Sequence, residues 1–389
     1  VPSSPHPLIE QAQMCYTTLM SDTFSTRTVC CKLRVDHAVD TALRETQAAF
    51  NAAASYCASV AWEQGITNKN TLHHSVYGAT RAQFGLGAQL ACCARDKAAE
   101  AVRASRQHTN ATCPTFRPDS SIRYDARTYR LMERDQVSLN TLHGRVVAQL
   151  DLGDFQRGYL YDLTWEIGGA DLIRKRDTWY LCMTQSKKLP GPDEPLGVIG
   201  CDFGIVTLCT SSDGETFSGE QVDRVRERNH VRRQRLQAVG TKSAKRRLKR
   251  NGGKERRFQK NTNHVISKRL VTKAVETCKA LAIEDLTHIR SRTQATVRHE
   301  QRRRHSSWAF AQLRMFVAYK AALAGVRVIV VDPRNTSRTC SACGYCDKHN
   351  RRSQSSFICL NCGFVAAADW NAAVNIERAA VNQPMAARV

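Results

Sequence analysis

Two cysteine pairs, Cys340-Ser341-Ala342-Cys343 and Cys359-Leu360-Asn361-Cys362, stand 15 residues apart. A CxxC turn presents both sulfurs to one ion, and two such turns complete the four-thiolate tetrahedron of a structural zinc ribbon. Gly344 and Gly363 follow the pairs, where backbone freedom helps each knuckle close. With every position taken by protein, one zinc ion here would hold the fold and leave no place for a reacting water. Cys346 has no symmetric partner and is left out of the ligand set. Lys348, Arg351 and Arg352 lie between the pairs, so the knuckle is expected to touch phosphate.

Three carboxylates form a second constellation. Asp202 ends an apolar run beginning at Leu196, Glu284 ends Ala280-Leu281-Ala282-Ile283, and Asp369 opens the last helical stretch, just past the cysteine pairs. Alone, each is what a solvated turn or helix cap looks like. Together, inside a strongly basic domain that would bind phosphate, they are the kind of oxygen donors that magnesium takes alongside substrate phosphate. Two such ions about 4 Å apart could activate a water and stabilise a departing 3′ oxygen in an in-line displacement.

The charge distribution says what that substrate would be. The 389 residues carry 58 Lys and Arg against 35 Asp and Glu, a net charge of +23. Residues 1–196 hold 22 basic and 20 acidic side chains, whereas residues 224–304 hold 26 and 6. So concentrated an excess repels itself unless phosphates neutralise it, which points to nucleic acid. No amphipathic lipid-facing helix, lipidation motif or run of roughly 18 apolar residues argues for a membrane. The start, Val1-Pro2-Ser3-Ser4-Pro5, lacks the regions of a signal peptide, and five of the 16 Cys crowd into residues 340–362. A metal in a reducing, cytoplasmic compartment is expected, with the other cysteines, including Cys30-Cys31 and Cys92-Cys93, as buried free thiols.

The elements that must position these residues follow from the pattern. Thr28 to Val35 alternates as a strand, and Ala-rich text over about 38–64 and 87–105 reads as two helices of a small insert. Short segments between 112 and 186, such as Val146 to Leu150 and Thr178 to Met183, are separated by turn residues, as in a small antiparallel barrel. Tyr159, Tyr161, Trp165, Trp179 and Tyr180 are mostly barrel filling, with base stacking as the alternative. Lys187 to Pro195 holds three Pro and one Gly and reads as a linker. Beyond it come a strand ending in Asp202, a hairpin partner from Ile205 to Thr210, and two basic helices broken at Asn251-Gly252-Gly253. Val265, Ile266, Leu270, Val271, Ala274, Val275 and Cys278 give the second helix a buried face. A strand at 280–283, a helix over about 306–324, a strand at 326–331 and a closing helix from Asp369 through Val381 complete an α/β core with layers on both faces of a mixed sheet. The twelve His show no ligand spacing and are assigned nothing.

Four of these segments carry a family resemblance. Gly200-Cys201-Asp202-Phe203-Gly204-Ile205, Ile283-Glu284-Asp285-Leu286, Thr336-Ser337 ahead of Cys340-Ser341-Ala342-Cys343-Gly344, and Asp369-Trp370-Asn371-Ala372-Ala373-Val374-Asn375-Ile376 resemble the split RuvC nuclease and zinc ribbon of the TnpB family. TnpB proteins are transposon-encoded RNA-guided nucleases, and the compact type V CRISPR effectors are related to them. The resemblance covers about residues 28–380, its N-terminal part in layout only. It implies an RNase H-like RuvC domain over 191–336 and 367–389, with a zinc ribbon inserted at 337–366 and basic helices within 222–280. A β-barrel wedge over 28–37 and 111–190 precedes it, interrupted by a helical recognition insert at 38–110, after a tail at 1–27.

It also implies that Asp202, Glu284 and Asp369 hold two catalytic magnesium ions and that Cys340, Cys343, Cys359 and Cys362 hold one zinc. The basic helices would grip a guide RNA and its heteroduplex, while barrel and insert read a short duplex motif in double-stranded target DNA. Arg232, Arg233, Arg235, Arg246, Arg247 and Arg250 are the nucleic-acid contacts expected from the charge run. Base pairing then supplies specificity, so the protein needs many backbone contacts and few base-edge readers. Many relatives carry a further Asp two residues before the last acid, where this chain has Ala367. The implied activity is RNA-guided DNA cleavage in which one RuvC site cuts both strands. The alternatives are a catalytically silent RNA-guided repressor and a guide-independent RuvC-type nuclease.

Overall fold

In β1 (Phe24–Arg34), Val29, Cys31 and Leu33 are buried while Lys32 and Arg34 are exposed, the period-two pattern of a strand with one covered face. The computed structural model describes residues 24–285 and 310–382, which divide at Lys188/Leu189 into two compact units.

In the first unit β1 pairs antiparallel with β5 (Gly144–Asp151) and β7 (Thr178–Lys188) and so lies in the middle of a seven-stranded sheet. The order runs β2 (Ile122–Tyr124), β6 (Glu166–Lys175), β7, β1, β5, β4 (Gln136–Thr141), β3 (Tyr129–Met132). The outermost strands, β2 and β3, are consecutive in the chain and joined by the turn at Asp125–Thr128, so the sheet curls into a nearly closed barrel. Tyr124, Leu139, Trp179, Leu181 and Met183 fill it. Of the five aromatics in question, Trp179 and Trp165 are buried and Tyr159 and Tyr180 half-buried. Only Tyr161 is exposed, and its hydroxyl donates to Asp135 at 2.7 Å.

Between β1 and β2 stand three helices where the pattern predicts two. They are α1 (His37–Glu63), capped by the Asp36 carboxylate, α2 (Lys69–Phe84) and α3 (Ala88–Ser105). The unforeseen α2 buries only Leu72, Val76 and Thr80, too few apolar positions to leave a periodic signal. A short α4 (Asp154–Leu160) links β5 to β6.

Among the described residues the expectation of buried free thiols fails at Cys278, which is exposed, and at Cys30 and Cys182. Cys30 on β1 faces Cys182 on β7 across the antiparallel ladder, and the two form a disulfide. Partners 152 residues apart can be recognised only once the register is known. Cys31, Cys57 and Cys93 are buried free thiols, and Cys92 is a half-buried one.

The second unit is built on a five-stranded mixed sheet. Its order is β10 (Thr216–Ser218), β9 (Thr207–Ser211), β8 (Gly197–Asp202), β11 (Lys279–Glu284), β12 (Val328–Val331), with β8, β11 and β12 parallel and β9 and β10 antiparallel. Ile199, Cys201, Leu281 and Ile283 face one side, against α6 (Lys242–Glu276) and α7 (Phe310–Leu323). Val198, Ala280, Ala282 and Val331 face the other, against Ile376 and Ala380 of α8 (Ala368–Asn382). The sheet is therefore covered on both faces, as the alternation of elements requires.

The basic stretch divides elsewhere than predicted. Helix α5 (Glu220–Val239) ends at Gly240, whose φ of +65° is the left-handed stop, and Thr241 caps α6 by accepting from the Ala244 amide. Gly252 and Gly253 lie inside α6, which runs through them. Along α6, Ile266, Leu270, Val271 and Ala274 are buried as expected, but Val265 and Val275 are exposed, and Cys278, also exposed, lies in the turn past the helix end. Of the predicted helix over 306–324, residues 306–309 lie outside the described residues, as does Leu286. Among the described residues no helix is long and apolar enough to cross a membrane.

Candidate functional site

Asp202 and Glu284 come together because of strand register. Ile283 pairs with Cys201 on parallel neighbours, so the next residue on each, Glu284 and Asp202, finishes its strand at the same sheet edge. Alternation settles the face: Asp202 shares that of Gly200 and Val198, and Glu284 that of Ala282 and Ala280, which is the side covered by α8. Asp369 is in the first turn of that helix. Gly200 is what lets the helix approach, since a Cβ there would stand 2.1 Å from the Ala373 carbonyl oxygen.

The electrostatics show how close the acids are. Burial, then Glu284, then Asp369 push the Asp202 carboxyl up to about 8. Glu284 is also raised, by burial, against the lowering effect of a Thr336 hydrogen bond and the charge of Arg351. Arg351 donates to Asp369 at 3.1 Å and to the Gln354 carbonyl at 2.8 Å, and its charge lowers both other acids. Among the described residues the four cysteines are the one group of three or more such side chains whose ligand atoms all lie within 4.8 Å of one another, so the three carboxylates do not all lie that close together. Three half-buried acids served by one guanidinium are short of positive charge. That donor set fits a divalent cation.

The cysteine site is tighter. Cys340 and Cys362 sulfurs are 3.7 Å apart, and those of Cys343 and Cys359 are 3.5 Å apart. A zinc ion bonded to four sulfurs at about 2.3 Å would separate them by about 3.8 Å. The Tyr345 amide is the main influence drawing Cys343 down to about 6. The Phe364 amide favours the Cys362 thiolate, but neighbouring cysteines outweigh it and push that thiol up to about 12. Such crowded sulfurs ionise together only around a cation. Asn350, fully buried, joins the two knuckles: its Nδ2 donates to the Arg338 and Tyr345 carbonyls and its Oδ1 accepts from the Leu360 amide. A strand pair, β13 (Ser356–Ile358) and β14 (Val365–Ala367), completes the ribbon.

Arg351 is one of three basic residues through which the sequence reading expects the knuckle to touch phosphate. It turns inward to Asp369 instead, while Lys348 and Arg352 stay exposed. Thr336, Asn371 and Asn375 were visible only as parts of motifs, and their bonding was not. Of the six arginines in the charge run, Arg232, Arg235, Arg246, Arg247 and Arg250 are exposed, and Arg233 is half-buried 3.4 Å from Glu255.

The comparisons with known proteins agree with this architecture. Residues 310–376 match the family model "Cas12f1-like, TNB domain", and residues 180–294 match "Probable transposase" (OrfB_IS605). Each model matches a part of the chain, and both agree with the resemblance read from its motifs. It is 40% identical over 120 residues to the CRISPR-associated endodeoxyribonuclease Cas12f1 of Sulfoacidibacillus thermotolerans, covering 31% of this chain and 26% of that protein. It is 27% identical over 259 residues to the TnpB-like protein MJ0751 of Methanocaldococcus jannaschii, covering 63% and 90%. Among solved structures, a Cas12f1-sgRNA-target DNA complex aligns with a TM-score of 0.61 at 14% identity, over 88% of this chain and 83% of that one. That likeness is one of fold, in a chain that here forms a nearly closed barrel, an α/β unit and a cluster of four cysteines.

Proposed function

We propose that this protein is an RNA-guided DNA endonuclease whose RuvC-type site is Asp202, Glu284 and Asp369. The observation that carries the reading is the meeting of three sequence-distant acids at one sheet edge, with Asp202 raised to about 8, in a chain whose basic excess is concentrated in the helices of the same unit. A pair of magnesium ions, when bound, would supply the activated water and neutralise charge at the leaving oxygen. Asp202 and Glu284, fixed on adjacent strand ends, and Asp369, fixed on the covering helix, would hold them. Arg351 neutralises the acids before metal arrives, and its forked donors suit a phosphate oxygen beside them. The four cysteines would hold one structural zinc.

The exposed arginines of α5 and α6 are proposed to contact guide RNA and heteroduplex backbone. In the first unit, a cleft of about 630 Å³ opens between the α2–α3 turn and the β4–β5 hairpin, lined by Arg81, Asn140 and Thr141 among others. An Arg and two polar side chains beside glycine-rich backbone, at Gly85 and Gly87, support it as the reader of a short duplex motif beside the target. Relatives named as an endodeoxyribonuclease and as TnpB-like support the same activity.

The test is purification with nucleic acid retained, sequencing of the bound RNA, and programmed cleavage in magnesium. Asp202→Ala is expected to abolish cleavage and preserve RNA and target binding. Normal cleavage by that variant would remove the catalytic assignment. Target binding with no cleavage by the unaltered protein would make it a repressor, and cleavage without bound RNA would make it a guide-independent nuclease.

A further inference from the structure

The segment from Pro333 to Ser341 runs from β12 to the first cysteine knuckle and passes the acid cluster on the way. The hydroxyl of Thr336, itself buried, stands 2.5 Å from Oε1 of Glu284 and 3.1 Å from the Pro333 carbonyl oxygen. Both partners are acceptors, so the hydroxyl is the donor, and the carboxylate is the stronger and nearer of the two. Two asparagines one turn apart on α8 fix the segment. Asn375 Nδ2 donates to the Thr336 carbonyl at 2.8 Å and to the Thr339 carbonyl at 2.7 Å. Asn371, fully buried, donates to the Thr339 carbonyl at 2.8 Å and accepts from the Ser341 amide at 2.9 Å. Ser341 lies inside the first CxxC turn. One helix therefore carries Asp369 and also clamps the strap that holds Glu284, and the strap ends at the cysteine site.

Resting on the proposed carboxylate site, we infer that Thr336 is a positioning residue: its hydroxyl holds Glu284 in the orientation that binds the divalent ion, and the α8 asparagines and the zinc knuckle hold the hydroxyl there. Glutamate has more rotatable bonds than aspartate and reaches the cluster from a strand end, so it is the ligand most in need of such a partner. Hydrogen bonds to metal-ligating carboxylates orient them, and losing one typically weakens metal binding by about 10- to 100-fold.

The experiment uses the full chain, freed of nucleic acid, with manganese as the probe and its binding followed by electron paramagnetic resonance. Thr336→Val keeps the shape and deletes the donor; Thr336→Ser keeps the donor and deletes the methyl. The valine variant is expected to bind manganese about 10- to 100-fold more weakly, with zinc content and guide RNA binding as in the unaltered protein. The serine variant is expected to recover binding to within about threefold of the unaltered protein. Unchanged manganese binding in the valine variant, or a serine variant as weak as the valine one, overturns the inference. Asp202→Ala separates the two levels. If it loses manganese and Thr336→Val does not, the threonine role alone is wrong; if it retains manganese, the carboxylate site and the role resting on it fall together.

Discussion

Replacing Gly200 by alanine tests the link between packing and the proposed chemistry. Gly200 is on β8, two residues before Asp202, on the face that α8 covers. An added Cβ would meet the Ala373 carbonyl oxygen at 2.1 Å and the Glu377 amide nitrogen at 2.6 Å. Both are backbone atoms of the helix, so no side chain can turn aside. Restoring ordinary contact requires the helix to move by about 1 Å, and overpacking of this kind costs about 1–3 kcal/mol. In a unit of this size that lowers the melting temperature by about 2–12 °C. The same displacement carries Asp369 away from Asp202, and a 1 Å misplacement of a reacting group can cost about 100-fold in rate. The assay pairs thermal unfolding with single-turnover cleavage at saturating guide and magnesium. Gly252→Ala is the control: it lies inside α6 with nothing within 4 Å of its Cβ position, and should stabilise by about 0.5–1 kcal/mol. If Gly200→Ala melts and cleaves like the unaltered protein, the close strand–helix approach does not position the site.

Further expectations follow from the charges and the sulfurs. Because Asp202 is raised to about 8, the metal-free folded state binds a proton that the unfolded state has already released above about pH 4. That contribution to stability is full at low pH and is lost as pH rises through 8, so in chelator Asp202→Asn should gain on the unaltered protein between those limits; a constant difference in melting temperature would contradict this. Arg351→Ala removes the cation beside Asp369, so manganese should bind more tightly while cleavage falls by about 100-fold or more; weaker manganese binding would count against the neutralising role. Cys343→Ser should lose zinc by elemental analysis and lower the melting temperature of the second unit, whereas retained zinc would point to another ligand set. Reductant should destabilise the barrel unit by up to about 5 kcal/mol, since the Cys30–Cys182 bond closes a loop of 152 residues; a reductant-insensitive transition would show the bond adds nothing.

Much of this protein was legible before any coordinates because its informative features are local. A CxxC turn is complete within four residues, the apolar runs at 197–202 and 279–284 are strands by their own composition, and the basic excess over 224–304 needs no neighbour to be noticed. Helix α2 escaped because three buried residues leave no rhythm, and the basic helices were divided at Gly252-Gly253 because two glycines look like a break. The stop that operates is Gly240, where the backbone takes a positive φ and Thr241 supplies the next cap, a distinction of backbone geometry that composition does not carry.

The sequence thus determined the kinds of donors present and the elements that bear them, since residue type and short-range periodicity belong to the chain itself. Only tertiary structure decided which of them meet. Pairing of Ile283 with Cys201 brings Glu284 beside Asp202, and a glycine opposite Ala373 admits the helix bearing Asp369. The fold of the ribbon turns Arg351 inward, and the Cys30–Cys182 bond waits on strand register. Each of these depends on contacts between residues remote in sequence, whose energies arise from shared burial and from fields acting across a few ångströms, and a linear order of side chains holds neither.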